Sequence, residues 1–173
     1  GSEFSNVTQV SKLSSFDFNS NSIGVADVDG DQYPDIFVGN DEDLFLFMNQ
    51  GDGTFEEESE LRLPGDVGFS SSVSIADFDK DGDVDAYVTR YVDKVEWPFH
   101  LPGGDILLVN DGSGFFKIAP PEWGIAGGGC GLASAWTDID SDGDLDVIVA
   151  NDFGLFVQRS AVYRNDGPTE DGG

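Results

Sequence analysis

The chain has 173 residues, with 8 Lys and Arg against 34 Asp and Glu, a formal net charge of 8 − 34 = −26. That balance excludes nucleic acid and anionic membrane as default partners, since both demand basic patches, and it points instead to bound cations. At 39% hydrophobic and 12% aromatic residues, the composition is that of a folded domain able to bury its own core.

In chain order, Gly1-Ser2-Glu3-Phe4 reads as a cloning scar, leaving 5–173 as the folded part. Ile23 to Ala26 is a short apolar run, too short for a helix and predicted as a strand. It leads into DVDGDQYPD, Asp27 to Asp35. A second strand, Ile36 to Val38, and a third, Leu44 to Met48, follow; the third ends at NQGDGTF, an Asn-x-Gly turn into a fourth strand at Phe55. The pattern then repeats: Val73 to Ala76, DFDKDGDVD from Asp77 to Asp85, Ala86 to Val88, Ile106 to Val109, NDGSGFF from Asn110. It repeats again: Ala133 to Trp136, DIDSDGDLD from Asp138 to Asp146, Val147 to Val149, and NDG from Asn165. Asn49 to Asp77 and Asn110 to Asp138 are both 28 positions, whereas the distance from Asp loop to Asn turn varies, so the insertions fall in one loop of each unit. No run of 18 apolar residues is present, so no membrane insertion is expected, and the single Cys130 permits no internal disulfide.

Each Asp loop places carboxylates at positions one, three, five and nine: Asp27, Asp29, Asp31 and Asp35; Asp77, Asp79, Asp81 and Asp85; Asp138, Asp140, Asp142 and Asp146. Hard oxygen donors at that density suit Ca²⁺, which takes six to eight oxygens; Mg²⁺ prefers to keep its waters. The backbone carbonyl at position seven (Tyr33, Asp83, Asp144) is the expected further ligand, giving about three calcium sites. Gly82 and Gly143 allow a left-handed turn at position six, but the first loop has Gln32 there; a strain of ~1 kcal/mol and weaker calcium binding are expected at that loop. An EF-hand begins in the same way but needs Glu at position twelve between helices. Position twelve here is Val38, Val88 or Val149, each inside a strand, which excludes that geometry.

VADVDGDQYPDIFV with FMNQGDGTF, IADFDKDGDVDAYV with LVNDGSGFF, and TDIDSDGDLDVIVANDFG with YRNDG resemble FG-GAP (VCBS) repeats, over roughly residues 23–167. The resemblance implies an all-β fold: a β-propeller segment of about three four-stranded antiparallel blades (approximately 20–60, 70–121 and 130–167), with calcium in the loop between the first and second strands. It also implies an extracellular, cell-surface or periplasmic setting and a protein or glycan ligand. A part in a calcium-dependent polysaccharide lyase, with a lone Tyr or His as base, is the enzymatic alternative, and a purely structural or assembly module is another. The sequence shows no nucleophile elbow, zinc motif or phosphate loop. Three blades cannot close a ring, so the chain reads as a fragment of a larger propeller or as one that self-associates edge to edge, its N-terminal strand completing the last blade of another copy.

Ligand binding is expected on the face opposite the Asp loops. The segment 89–105 brings Arg90, Tyr91, Trp97 and His100, the segment 151–160 brings Arg159, and Trp123 is expected on the same face. Aromatics beside arginine are common at binding hot spots. Arg90→Ala is expected to abolish partner binding without lowering thermal stability.

Overall fold

The computed structural model describes residues 3–13, 19–65, 67–91, 104–125, 127, 130–152 and 158–167. Its strands form three separate antiparallel sheets. The first holds β1 (Ser20–Ala26), β2 (Asp35–Asn40), β3 (Leu44–Asn49) and β4 (Phe55–Glu57) in sequence order. The second holds β5 (Ser70–Ala76), β6 (Asp85–Arg90), β7 (Ile106–Asn110) and β8 (Phe116–Ile118) in the same order. The third holds β9 (Cys130–Thr137), β10 (Asp146–Asp152) and β11 (Ala161–Tyr163), three strands among the described residues rather than the expected four. One helical turn, α1 (Ser59–Arg62), follows β4, and a 3₁₀ turn at Pro121–Trp123 follows β8. The sheets stand in a row and do not close on themselves.

Residues 3–13 contain no strand; they form turns, and the Ser11 carbonyl accepts the Phe55 amide at 3.1 Å. The expected N-terminal strand is therefore absent from the described residues. The short apolar runs became strands because their β-branched and aromatic side chains alternate between the two faces of each sheet, with the core packed on the inner faces.

The first strands of neighbouring sheets, β1 with β5 and β5 with β9, lie side by side. Between sheets one and two the core consists of Phe37, Leu46, Met48, Val73, Ala86, Val88 and Leu108, all buried. Between sheets two and three it consists of Tyr87, Leu107, Val147 and Val149, flanked by Trp136 and Tyr163. The first pair of sheets approaches so closely that a Cβ on Gly24 would meet Ile75 Cδ1 at 2.8 Å, which explains a glycine in the middle of β1. Ser74 and Ser134 share a hydroxyl hydrogen bond of 2.7 Å, and Trp136 Nε1 donates to the Ser74 carbonyl at 3.2 Å across the second interface.

A bulge recurs at the same place in all three units. The register shifts between Ser20 and Ser22 in β1, between Ser70 and Ser72 in β5, and between Ala150 and Asn151 in β10, where Leu132 of β9 is the extra residue. These bulges sit at the end of each sheet remote from the Asp loops. In the second unit the bulge aims Ser71 Oγ at the Gly131 carbonyl of the next sheet.

Candidate metal centre

Each Asp loop joins the first two strands of its sheet and lies at the same end as the Asn-x-Gly turn that follows the third. The two motifs are bound into one unit by the aspartate at position nine. Asp35, Asp85 and Asp146 are fully buried. One oxygen of each accepts the amide at position two of the loop: Val28 at 3.0 Å, Phe78 at 3.4 Å and Ile139 at 2.8 Å. The other accepts the amide of the turn asparagine: Asn49 at 2.8 Å, Asn110 at 3.0 Å and Asn165 at 2.8 Å. The asparagine Oδ1 then receives the turn glycine, Gly51 at 3.0 Å, Gly112 at 3.3 Å and Gly167 at 3.0 Å.

Those glycines have a second reason to be glycine. Their φ angles are +73°, +80° and +70°, and the position-seven side chain of the same unit lies over them. A Cβ at Gly51 would meet the Tyr33 ring at 2.7 Å, one at Gly112 would meet Asp83 Oδ2 at 2.7 Å, and one at Gly167 would meet Asp144 Oδ2 at 3.0 Å. Position seven of the loop and the glycine of the turn are thus one packing solution.

The asparagine amide also links the units. Asn110 Nδ2 donates to the Val28 carbonyl of the first loop at 2.8 Å, and Asn165 Nδ2 donates to the Phe78 carbonyl of the second at 3.1 Å.

Within each loop, carboxylate oxygens of positions one, three and nine lie within 4.8 Å of one another: Asp27, Asp29 and Asp35; Asp77, Asp79 and Asp85; Asp138, Asp140 and Asp146. The position-five carboxylates Asp31, Asp81 and Asp142 stand outside those groups and cap the amide of position seven, at 2.8, 3.2 and 2.9 Å. Position one holds the turn itself: Asp27 Oδ1 and Oδ2 accept Gly30 and Gln32, both at 2.9 Å, and Asp138 accepts Ser141 and Gly143.

Gln32 adopts φ +74°, as its place at position six requires. Position four is left-handed as well: Gly30 in the first loop, but Lys80 (+63°) and Ser141 (+64°) in the others. Each loop therefore carries one non-glycine residue in the left-handed region, and the expected handicap of the first loop is matched in the other two.

The second loop carries the least compensated charge. Asp77 Oδ1 and Asp83 Oδ1 are buried and receive no hydrogen bond. Burial pushes the Asp85 carboxyl up to about 7 against the pull of its two amide donors, and burial together with the neighbouring Asp81 charge pushes Asp83 up to about 6. Among the described residues no ion pair reaches the carboxylates of this loop. The first loop has Arg62 at 4.0 Å from Asp29. The third loop has no basic residue in its own sequence, yet receives Lys80 from the second loop, 2.5 Å from Asp144, and Arg164, 3.7 Å from Asp140. Asp146 correspondingly lies below the usual carboxylate range, held there by the Ile139 and Asn165 amides. A buried, unpartnered Asp77 oxygen in a loop where oxygens of Asp77, Asp79 and Asp85 lie within 4.8 Å of one another fits a hard divalent cation, and the all-oxygen donor set favours Ca²⁺.

The residues expected on the opposite face divide. Trp97 and His100 lie outside the described residues. Trp123 stands elsewhere: its ring centroid is 6.0 Å from Phe78, position two of the second Asp loop. Arg164 is on the Asp-loop side. Arg90 is at the opposite end, but its guanidinium is engaged by the backbone, donating to the carbonyls of Gly104 at 2.8 Å and Val67 at 2.9 Å. Arg90→Ala should therefore lower stability by about 2–3 kcal/mol in chemical denaturation, the scale of lost charge-assisted hydrogen bonds, contrary to the expectation of unchanged stability. A variant as stable as the parent would show these bonds to be dispensable. Tyr91 packs on Phe69 with centroids 5.7 Å apart and donates its hydroxyl to Asp152 at 2.9 Å, tying the second sheet to the third. Arg159 is exposed.

Sequence reasoning missed Asp105. It is completely buried just before β7, accepting the Arg90 amide at 2.9 Å and the Tyr87 hydroxyl at 3.2 Å. Gly127 and Gly131 leave room for its oxygens, which a Cβ at either position would meet at 2.7 and 2.6 Å. Burial raises its carboxyl to about 6. Nothing in Gly103-Gly104-Asp105 distinguishes it from an ordinary turn aspartate.

Comparison with known families matches residues 27–88 to the FG-GAP-like repeat. No curated protein matches the chain. The matched segment spans the first two Asp loops and the first Asn-x-Gly turn, and within it the buried Asp35 fastens the first loop to that turn. Over that segment the chain is similar to FG-GAP-like repeats.

Proposed function

We propose that this chain is a calcium-stabilised binding module of β-propeller type that works outside the cell or at its surface and meets a protein or glycan partner through the loop end opposite its Asp loops. The observation that carries the reading is the triplet of carboxylate clusters, each with oxygens within 4.8 Å, repeated in register along three sheets. In the second loop, two buried oxygens without donors add weight to the choice of a cation. Asp27, Asp29 and Asp35, with their counterparts in loops two and three, would hold the ion; positions five and seven would complete its shell. Bound calcium supplies positive charge where the chain has concentrated negative charge, and it performs no chemistry on a substrate. Its work here is to let buried carboxylates fasten turn to loop without mutual repulsion.

With calcium assigned to one end, recognition falls to the other, where Arg159 is exposed. The expected result is calcium-dependent binding on a glycan array or to a purified surface protein, reduced at least tenfold by Arg159→Glu with an unchanged melting temperature. Binding that persists in Arg159→Glu and in Trp97→Ala would remove this face from consideration.

A further inference from the structure

The three Asp loops share one arrangement of carboxylates but differ in the basic side chains around them. Beside the first loop Arg62 stands 4.0 Å from Asp29, and it is committed elsewhere, to Glu58 at 2.5 Å, to the Ser113 carbonyl at 2.7 Å and to the Phe115 ring. In the second loop Asp77 Oδ1 and Asp83 Oδ1 are buried without a donor. The third loop already draws cations from the chain itself. Lys80 Nζ lies 2.5 Å from Asp144 Oδ1 and 3.7 Å from where a Cβ on Gly143 would stand, and the charges of Asp142 and Asp138 act on the same ammonium. Arg164 lies 3.7 Å from Asp140 and 2.5 Å from Asp166.

Lys80 belongs to the second loop. It stands at position four, where the backbone is left-handed at φ +63°, and the first loop has Gly30 in that place. Glycine suits such a position, and a lysine there works against its own backbone preference. What the lysine adds is reach: its stem carries a positive charge from the second loop to the carboxylates of the third. The second loop thus gives its one basic residue away and keeps the least compensated charge of the three. Half of the Lys80 side chain remains exposed, so the contact rests on charge rather than on packing.

We infer that Lys80 is a tethered counter-ion of the third loop and sets the order in which the loops take calcium, the second before the third. The inference rests on the reading of the loops as cation sites. A divalent ion entering the second loop meets carboxylates that no basic side chain has paired. The same ion entering the third must share its carboxylates with an ammonium and a guanidinium already there. One unit charge several ångströms from a divalent ion, in water and partly screened, weakens binding on the order of fivefold. The third loop therefore fills only when calcium is more plentiful. When calcium is scarce, Lys80 and Arg164 still offset its charge, and the Asp146 clip to Ile139 and Asn165 stays in place.

A calcium titration of the isotope-labelled chain, followed by NMR at glycine amides, reads the loops separately: Gly30 in the first, Gly82 in the second and Gly143 in the third. The Gly30 and Gly143 amides donate to Asp27 and Asp138, at 2.9 and 3.1 Å, so they sense their own loops. Gly82 should reach its bound position at lower calcium than Gly143. Lys80→Gln, which removes the charge at an exposed position, should bring the Gly143 transition to about fivefold lower calcium and leave Gly30 where it was. Arg164→Gln should move Gly143 the same way by less, and Lys80→Arg should leave it at the parent value. In about 1 M potassium chloride, where screening acts within about 3 Å, parent and Lys80→Gln should coincide, which a merely structural role of the side chain would not produce. A Gly143 transition that precedes that of Gly82, or one that Lys80→Gln does not move, would overturn the inference and leave the cation reading standing. Glycine amides that ignore calcium in all three loops would overturn both.

Discussion

Asp85→Ala, measured in saturating calcium, should destabilise the chain by about 3–5 kcal/mol, because two buried amides lose their acceptor at once and each such loss costs roughly 1–3 kcal/mol. The amides are those of Phe78 and Asn110, at 3.4 and 3.0 Å. Their release would loosen the Asp loop from the Asn turn, and through Asn110 Nδ2 it would loosen the first loop as well. In calcium-free buffer the same substitution should cost much less. Without a cation Asp85 is an expensive carboxylate, pushed up to about 7 by its burial, so its removal relieves a penalty while it breaks two bonds. A penalty that is the same with and without calcium would separate the clip from the metal, and one below about 1 kcal/mol in calcium would deny the clip its structural role.

Metal-free protein should grow less stable as pH rises from about 4 to 7. The direction follows from the buried carboxyls. Asp105 holds its proton in the folded state up to about 6, whereas an unfolded aspartate releases it near 3.8. Between those values the folded state binds more protons than the unfolded one, so stability present at low pH is lost as pH climbs through the folded value. Asp35 and Asp79, raised chiefly by burial, act in the same direction. Asp146, lowered by its amide donors, acts against them, losing its contribution on the acid side. For Asp105 alone the expected loss is on the order of 2–3 kcal/mol. Asp105→Asn should remove that part of the slope and raise the melting temperature at pH 7, since the amide oxygen still accepts from Arg90 and Tyr87 can turn its hydroxyl to the Ile125 carbonyl, 3.2 Å away. Urea melts across the pH range, parent against variant, check this; a flat profile or one rising with pH would contradict it.

The repeat made much of this architecture readable. Ile23 to Ala26 and its counterparts are short and β-branched, and they lie before aspartates spaced at every second residue, so strand, loop and strand followed from local pattern. The pairing of loop with turn could be seen as a constant spacing of 28 positions, but its cause, Asp85 clasping the Asn110 amide and Asp83 lying over Gly112, is tertiary. The convergence of the carboxylates at positions one, three and nine was readable from their spacing; the separate duty of position five, capping position seven, was not. The charges around the loops were hidden for a similar reason. Lys80 and Arg164 reach the third loop from 64 positions before Asp144 and 24 after Asp140, and no local window holds them together. The opposite face was read least well, because a side chain's direction depends on the neighbouring sheet. Arg90 turns to carbonyls at Gly104 and Val67, and Trp123 folds back on Phe78. The bulges at Asn21, Ser71 and Leu132 leave no mark in composition, although they recur in every unit.

The central claim is that the Asp loops are cation sites that hold the sheets together. Three calcium ions would bring the formal charge from −26 to −20, adding 3 × 2 = 6 positive charges. A thermal melt in millimolar calcium against the same melt in EDTA reads the consequence directly. Each occupied site adds about 4 kcal/mol at a thousandfold excess over its Kd, so the melting temperature should fall by about 10 °C or more when calcium is withdrawn, and magnesium at equal concentration should restore only a small part. A melting temperature that EDTA leaves unchanged would contradict the account.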